Sequence, residues 1–353
     1  MPDVIVKLRT NEDFQQCCTL LQSRKQKYQP LKKFTALHLS LGEGQEVTDV
    51  IDPGLIERVD ADITLSIIQD EETETASTAN SLWGMERIGA TYRSVPKRYP
   101  RAKAAVLDTG LSRHPALAIA PKYANFSTEK TAHDLNGHGT HLAGTIGGFP
   151  ARKTLRHFHG VYPRLPLMSV KAFAKDGTAP LSAIMKAVEW CINQNVKLIN
   201  MSFGIDEHNA SLYEVIRTAY EEGVIIVAAS GNDGNPGLKY PARYPEVISV
   251  GSINEDGQVS SFSQFGTHLD VVAPGENILS TWPKSQFKSL SGTSMACAHV
   301  TGVLALMLAV RADLTPDEAK QLLVESAEGL PTSPLLQGHG LVSVTNVLKR
   351  LRE

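Results

Sequence analysis

The 353-residue sequence has almost no net charge, because 35 lysines and arginines face 37 aspartates and glutamates. Nucleic acids and anionic membranes select strongly basic partners, so this balance argues against both. No apolar run reaches the roughly 20 residues that a membrane-spanning helix needs. The start, MPDVIVKL, lacks the basic residues and long apolar core of a signal peptide. We therefore expect a cytoplasmic protein without nucleic-acid or membrane partners.

Cysteine is also scarce, with four residues in the chain: Cys17, Cys18, Cys191 and Cys297. The first two are adjacent and the others lie far along the chain, which argues against a disulfide framework. Reduced thiols agree with the expected cytoplasmic location. The length predicts two domains, or one large domain with an appendage.

A short turn near the C-terminus, LSGTSMA at 290–296, presents Ser294 just before an apolar run. Such a turn places a hydroxyl at a helix N-terminus, where exposed N–H groups favour negative charge. Alone, this pattern is more often a helix cap than a nucleophile. A catalytic interpretation needs a base, an acid that orients it and an oxyanion donor elsewhere in the chain.

Three further motifs supply candidates for these roles. Asp108 follows a small apolar strand and precedes a glycine turn, which is where ligands bind an open parallel sheet. His138 lies between glycines in NGHGTHLAG, just before a predicted helix. Asn232 follows a buried strand, and its side-chain amide can donate to a developing oxyanion. His138 and His141 could instead share a metal, although no zinc-protease pattern follows them.

Together, these four motifs resemble those of the subtilisin-like serine proteases, the subtilases. The chain order Asp108, His138, Ser294 is the order of subtilisin and not that of chymotrypsin or the α/β-hydrolases. The resemblance runs from about Trp83 to the C-terminus. It implies a serine endopeptidase in which Ser294 attacks the scissile carbonyl, His138 transfers the proton and Asp108 orients the histidine. Asn232 and the backbone N–H of Ser294 would hold the oxyanion.

The resemblance also implies a protein or peptide substrate that lies in the cleft as an extended strand. The expected substrate-binding residues are Ser202, Phe203, Gly204, Gly177, Ala179, Gly231 and Lys239. Lys239 stands where the family often has a small residue, in the pocket for the side chain before the cut. Its ammonium would favour an acidic side chain by charge complementarity. The alternatives are that Lys239 is solvated or that Asp233 neutralises it.

The first 68 residues are predicted to form a separate small α+β domain. We predict strands at 4–8, 34–41 and 56–65 and helices at 11–22 and 47–51. This order is similar to the family's inhibitory propeptide, which threads its tail through the active site. The resemblance therefore implies that the chain's own N-terminal domain is an intramolecular inhibitor; a permanent accessory domain is the alternative.

An acidic stretch without periodicity, residues 69–80, is predicted to be a linker, and residues 81–353 to form the catalytic domain. The resemblance implies autoprocessing near residues 68–78. An acid-binding pocket at Lys239 would place the cut after Glu71, Glu72 or Glu74. A cut after an apolar residue such as Ile68 would count against that pocket.

Strands and helices alternate through the rest of the chain, which predicts an α/β fold. The resemblance implies a mostly parallel, subtilisin-like sheet with helices on both faces. We predict strands at 102–107, 166–172, 197–201, 224–229, 247–253 and 269–273. We predict helices at 139–147, 181–193, 211–222, 294–310 and 315–326. The tail, 341–348, is similar to the family's closing strand and helix.

The sequence departs from the family pattern at several positions. Ala116 and the basic loop 151–157 stand where many subtilases hold calcium through oxygen ligands. We therefore expect no cofactor and no main calcium site, while a weaker calcium site stays open. Ala298 replaces a common proline, so a peptide ligase or macrocyclase is one alternative function. Cys297 is expected to be buried, with a redox switch beside Ser294 as its alternative. A binding protein kept shut by its N-terminal domain is a further alternative.

Overall fold

A computed structural model of the chain describes residues 3–72, 82–92, 103–150 and 157–352. Its strands, numbered β1 to β17 in chain order, are Asp3–Leu8, Tyr28–Leu31, Ala36–Ser40, Ile56–Ala61, Thr64–Ile67, Glu71–Glu72, Ala104–Asp108, Ile119–Asn125, Leu167–Lys171, Thr178–Pro180, Leu198–Met201, Phe203–Gly204, Ile225–Ala229, Ile248–Ile253, Val271–Pro274, Ile278–Trp282 and Gln286–Ser291. Its α-helices, α1 to α10, are Asn11–Ser23, Val47–Val50, Trp83–Arg87, His138–Gly147, Leu181–Asn193, Ala210–Glu221, Thr293–Val310, Pro316–Glu325, Pro334–Gln337 and Val344–Arg350.

The large domain is built on a seven-stranded sheet in the order β15-β14-β13-β11-β7-β9-β8, and its neighbouring strands are parallel. Its inner strands are buried along their whole length. Both faces of a parallel sheet are covered by helices, so side chains at successive positions are buried. This explains why the inner strands are short, mostly apolar runs without alternation of polar and apolar residues. Helices α4 and α7 pack together, as do α5 and α6, and both pairs contact the sheet. The predicted α/β fold is confirmed.

Helix α7 crosses the centre of this domain, and its residues are buried from Thr293 through Ala309. By length and composition it could cross a membrane, but 94% of it is buried inside the protein. A helix that is apolar on all sides is expected in the core of a large domain. Its N-terminus therefore presents Ser294 from a rigid, fully packed element.

The N-terminal domain has an antiparallel sheet in the order β2-β3-β1-β4 and a small core of its own. The strand predicted at 34–41 begins only at Ala36, because residues 32–34 form a 3₁₀ turn. Thr35 ends that turn in the left-handed region, with φ at 49°. The polar, proline-containing strand β2 was not predicted, since proline and glutamine are poor strand signals.

The single strand predicted at 56–65 is wrong. Strand β4 ends at Ala61, and the chain then leaves the N-terminal sheet. Strand β5 pairs with β10 and β12 of the large domain, and β6 pairs with β17. The first part of the predicted linker therefore lies against the large domain. Its remainder, including Glu74, lies outside the described residues, as does most of the basic loop, 151–156.

The four cysteines are free thiols, and Cys17, Cys191 and Cys297 are buried. Burial raises the pKa of Cys297 to about 12, so this thiol stays protonated near neutral pH. A protonated, inaccessible thiol is a poor redox switch, which favours the simpler interpretation of Cys297 as a core residue. The cytoplasmic location stays a prediction.

Candidate active site

Two of the predicted catalytic side chains meet at the carboxyl edge of the parallel sheet. Asp108 is the last residue of β7, and His138 is the first residue of α4. Nδ1 of His138 lies 2.8 Å from Oδ1 of Asp108, and both residues are buried. The same Asp108 oxygen accepts the backbone N–H of Thr109 at 2.7 Å. The carboxylate is thus fixed by the backbone at the point where it contacts the imidazole.

Glycines on either side of His138 make this contact possible. Gly137 has φ at 115°, a conformation that L side chains rarely adopt. A Cβ on Gly139 would collide with the carbonyl of Gly110 and press against Asp108. The GHG pattern that singled out the histidine is therefore a packing requirement of the Asp108–His138 approach.

A buried carboxylate that the sequence analysis missed, Asp134, organises the turn before α4. It accepts hydrogen bonds from the backbone of Gly137 at 2.7 Å and of Thr140 at 2.9 Å. It also accepts the hydroxyls of Thr109 and Thr140. Asp134 thereby ties the Asp108 turn to the start of the histidine helix. The only signal in the sequence was an Asx-type turn, Asp-Leu-Asn-Gly, before the motif.

Ser294 is the second residue of α7, and its side chain is buried. Its Oγ has no hydrogen-bond partner among the described residues, so the structure does not join it to His138. The other imidazole nitrogen, Nε2, instead lies 3.0 Å from Oδ2 of Asp70. Asp70, another residue that sequence reasoning missed, follows the N-terminal domain and lies in the cleft.

These carboxylates control the charge of His138. Burial alone would lower its pKa, but Asp108 and Asp70 outweigh burial and hold the pKa well above its usual value. The imidazole is therefore stabilised in its protonated form while Asp70 is bound. A protonated imidazole cannot accept the proton of Ser294.

The side-chain amide of Asn232 has a defined orientation. Its Oδ1 accepts the backbone N–H of Thr293 at 2.9 Å and the hydroxyl of Thr293 at 2.8 Å. Since the oxygen is committed to the α7 N-terminus, the NH₂ group points into the cleft. There it donates to the carbonyl of Gln69 at 2.8 Å and to Oδ1 of Asp70 at 3.2 Å.

The predicted substrate-binding segments form the two walls of a cleft that strand β5 fills. Leu65 pairs with Ala179 on one wall, and Ser66 pairs with Gly204 on the other, both antiparallel. The chain continues with hydrogen bonds from the N–H of Ile67 to Gly177 and of Ile68 to Ser202, at 2.9 and 3.1 Å. Phe203 belongs to the β12 wall, where its backbone pairs with Ile67, and its ring packs on Phe173.

The structure places Lys239 at the rim of this cleft, with its stem packed against Gly204 and Gly231. Its ammonium lies 2.6 Å from Asp206 and 2.7 Å from Asp233. Burial lowers the pKa of Lys239, but the two carboxylates outweigh it and raise the pKa. Because two anions surround one cation, the charge that would attract an acidic side chain is already neutralised. This favours the alternative in which Lys239 is neutralised, and the preference for an acidic residue stays a prediction.

The metal alternatives find little support in the geometry. Nε2 of His141 lies 3.0 Å from the carbonyl oxygens of both Ile278 and Lys288, and burial lowers its pKa to about 3. His141 is therefore a neutral donor to the β16–β17 hairpin rather than a second ligand beside His138. Ala116, which stands where many subtilases hold calcium, is buried, and its methyl side chain has no oxygen to bind the ion. The expectation that the protein has no cofactor and no main calcium site stays a prediction.

The N-terminal domain contacts helices α5 and α6 through paired charges and caps. Asp62 accepts the N–H and hydroxyl of Ser182 at the start of α5, at 2.8 and 2.7 Å. Arg58 lies 3.2 Å from Glu214 on α6, and Lys33 lies 2.5 Å from Glu222. These contacts attach the N-terminal domain, which precedes β5 in the chain, to the large domain.

Comparisons with known proteins place the chain in a family. The model of the subtilase family (Peptidase_S8) matches residues 101–340. The chain is 41% identical over 241 residues to the thermostable alkaline protease of Halalkalibacterium halodurans, covering 68% of this chain and 66% of that protein. It is 36% identical to the M-protease of Shouchella clausii, over 83% of this chain and 76% of the relative. It is 38% identical to subtilisin BL of Lederbergia lenta, over 74% and 96%.

Proposed function

The chain belongs to the subtilase family of serine endopeptidases, and on this premise we propose that Ser294, His138 and Asp108 form its catalytic triad. Asn232 and the backbone N–H of Ser294 form the oxyanion site. One observation carries the proposal: the Gln69 carbonyl accepts a hydrogen bond from Asn232 beside the His138–Asp108 pair. A peptide carbonyl is already bound by the group that would stabilise the oxyanion.

The reaction is an acyl transfer in two halves. Nε2 of His138 takes the proton of Ser294 while Oγ bonds to the scissile carbonyl carbon and the carbonyl oxygen becomes an oxyanion. The carbon–nitrogen bond then breaks, and His138 gives the proton to the leaving amine. Water attacks the resulting ester, its proton passes to His138, and the proton returns to Oγ as the ester bond breaks. Asp108 stabilises the imidazolium in both halves.

A protein or peptide substrate would occupy the cleft as an extended strand between β10 and β12. Strand β5 of the chain itself supports this mode, because it pairs with both walls through main-chain hydrogen bonds. Main-chain pairing supplies affinity without selecting a sequence, and side-chain pockets supply selectivity. This geometry suits an endopeptidase that cuts unfolded segments.

We also propose that the N-terminal domain is an intramolecular inhibitor and that the chain cuts itself within residues 68–78. The docking contacts and the strand in the cleft support inhibition. Within that range, the bound carbonyl favours the bond between Gln69 and Asp70, because its oxygen already contacts Asn232. Release of the cleaved strand would open the cleft to other substrates.

Peptide turnover by the purified chain tests this function. We expect hydrolysis to fall to background in Ser294→Ala, whereas Ser326→Ala, a buried serine at the end of α8, should match the wild type. An added amine nucleophile separates hydrolysis from ligation, since only a ligase gives mainly amide products. No turnover in any form, even after proteolytic removal of the N-terminal domain, would overturn the proposal and favour a binding protein.

A further inference from the structure

Asp70 occupies the centre of the catalytic site. Its Oδ2 lies 3.0 Å from Nε2 of His138, and its Oδ1 accepts from Nδ2 of Asn232 at 3.2 Å. The side chain is only 4% exposed. A Cβ on Gly292 would collide with Oδ1, so the glycine of the serine turn leaves the room that this carboxylate fills. One carboxylate thus contacts both the proposed base and the proposed oxyanion donor.

The chain runs unbroken through the site on both sides of Asp70. Strand β5 precedes it in the cleft, and β6 follows it, with Glu71 and Glu72 paired to Ser291 and Leu290. The Gln69 carbonyl lies on Asn232. Asp70 is therefore the residue whose amine would leave if the bond after Gln69 were cut. Its position is that of the first residue after a scissile bond.

A carboxylate in this position opposes the first step of the reaction. Ser294 can be deprotonated only by a neutral imidazole with a free lone pair on Nε2. Oδ2 of Asp70 lies 3.0 Å from that nitrogen, and its negative charge stabilises the protonated imidazole. Among the described residues, neither Oγ of Ser294 nor Nε2 of His138 has a hydrogen-bond partner, and the contact of Asp70 with that nitrogen is an ion pair.

We propose that the Asp70 carboxylate makes the segment 64–72 a bound inhibitor rather than a rapidly cut substrate, and that an acidic residue directly after the scissile bond slows cleavage by this protease. This inference rests on the proposed serine-protease function. Its chemistry is general, because any substrate aspartate at the same position could reach the same two groups. Asparagine has the same shape without the charge and should not suppress the base.

Serine labelling of the full chain tests the inhibition. A fluorophosphonate probe forms a phosphorus–oxygen bond to an activated serine and releases fluoride, while the serine proton passes to His138. We compare the wild type with Asp70→Asn and with Glu71→Gln, which removes one exposed negative charge from the next residue. Asp70→Asn should label faster by on the order of tenfold, because the neutral amide no longer stabilises the protonated imidazole that must accept the serine proton. Glu71→Gln should label at the wild-type rate.

Two failures can be told apart. If wild type and Asp70→Asn label at the same measurable rate, this inference is overturned while the proposed function stands. If no variant labels, even after the N-terminal domain is removed, both fail. A nuclear magnetic resonance titration of the histidines in the Ser294→Ala background gives a second readout. Adding Asp70→Asn should lower the pH at which His138 loses its proton, and an unchanged titration would overturn the inference.

Cleavage sites in a denatured protein mixture test the specificity part. Digestion by the full-chain preparation should leave aspartate strongly under-represented directly after the cut, compared with asparagine in the same mixture. Equal representation of the two residues at that position would overturn this part.

Discussion

The orientation of the Asn232 side-chain amide determines that a hydrogen-bond donor, and not an acceptor, faces the cleft. Asn232 turns its oxygen towards Thr293 and its NH₂ group towards the carbonyl of Gln69. No amide flip satisfies both contacts, because Thr293 N–H can only donate. The sequence motif predicts that Asn232 is an oxyanion donor, but the orientation of its amide depends on Thr293, a residue 61 positions further along the chain.

Replacing that amide by a carboxylate tests its role. Asn232→Asp keeps the shape and the contact with Thr293 but loses the donor. We expect kcat to fall by about 10²–10³-fold with a smaller change in KM, a magnitude measured for the oxyanion asparagine of subtilisin itself. Steady-state kinetics on a peptide substrate measures it, with Asn235→Asp on the neighbouring loop as control. A fall in kcat of less than threefold would contradict the assignment.

The ion pairs of Lys239 lead to a prediction about selectivity for the side chain before the cut. Because Asp206 and Asp233 already neutralise it, matched peptides with Glu or Gln before the cut should differ in kcat/KM by no more than about fivefold. The measurement needs only the wild-type enzyme and two peptides. A larger preference for Glu would restore the acid-binding pocket that the sequence suggested.

At the scale of elements, the parallel sheet was predictable and the cleft-filling strand was not. Buried strands such as β7 and β13 consist of consecutive apolar residues, and each is followed by a motif at its carboxyl end. Strand β5, by contrast, obtains its partners from a different domain. Sequence periodicity reports which residues face a core but not which strands they pair with. The residues after Ala61 therefore looked like an extension of β4.

The edge strand β8 and the hairpin β16–β17 were missed for a related reason. Strand β8 is largely exposed or half-buried and contains a proline, so its sequence lacks the apolar run of the inner strands. The hairpin carries polar residues because the hydroxyls of Ser280 and Thr281 donate to the backbone carbonyls of His141 and Thr140 in α4. Asp108, His138, Asn232 and Ser294 could be proposed from the sequence because each lies within two residues of a glycine, near the end of a strand or the start of a helix, whereas no such pattern surrounds Asp70.

The cap on α5 gives a prediction at this scale. Burial raises the pKa of Asp62, but hydrogen bonds from His38 and Ser182 outweigh it and lower the pKa. A lowered folded-state pKa means that this contact stabilises docking above the usual aspartate pKa of about 3.9 and is lost as pH falls through the folded value. We expect Asp62→Asn to weaken docking of the N-terminal domain by about 1 kcal/mol at neutral pH.

Limited proteolysis measures the Asp62 effect as faster loss of the N-terminal domain in the Ser294→Ala background. Glu57→Gln, an exposed carboxylate on β4, is the matched control and should behave as the parent. Equal digestion of the two variants would show that the Asp62 cap does not hold the domain.

In the whole molecule, carboxylates from the large domain and from the segment after the N-terminal domain meet at one histidine, His138. His138 lies against Asp108 of β7 and Asp70 of the segment after the N-terminal domain, and the buried, neutral His141 lies three residues further along α4. Its raised pKa means that the ion pair with Asp70 is complete below the usual histidine pKa and is lost as pH rises through the higher folded value. We therefore expect this ion pair to hold the N-terminal segment in the cleft more strongly at neutral pH than at alkaline pH.

This linkage predicts a pH profile for the full chain. Fluorophosphonate labelling of the wild type should rise with pH to a later midpoint than labelling of Asp70→Asn, since the variant lacks one of the two stabilising carboxylates. The rate measured between pH 6 and 10 in both proteins checks the shift. Coincident pH profiles would show that Asp70 does not affect the protonation of His138.

Self-cleavage by Ser294 is tested by following the mass of the intact chain over time. Purified wild type and Ser294→Ala are incubated in parallel and followed by mass spectrometry. We predict that only the wild type splits into two fragments, with the junction within residues 68–78 and favoured between Gln69 and Asp70. Cleavage of Ser294→Ala at the same rate, or a wild-type junction outside that range, would contradict it.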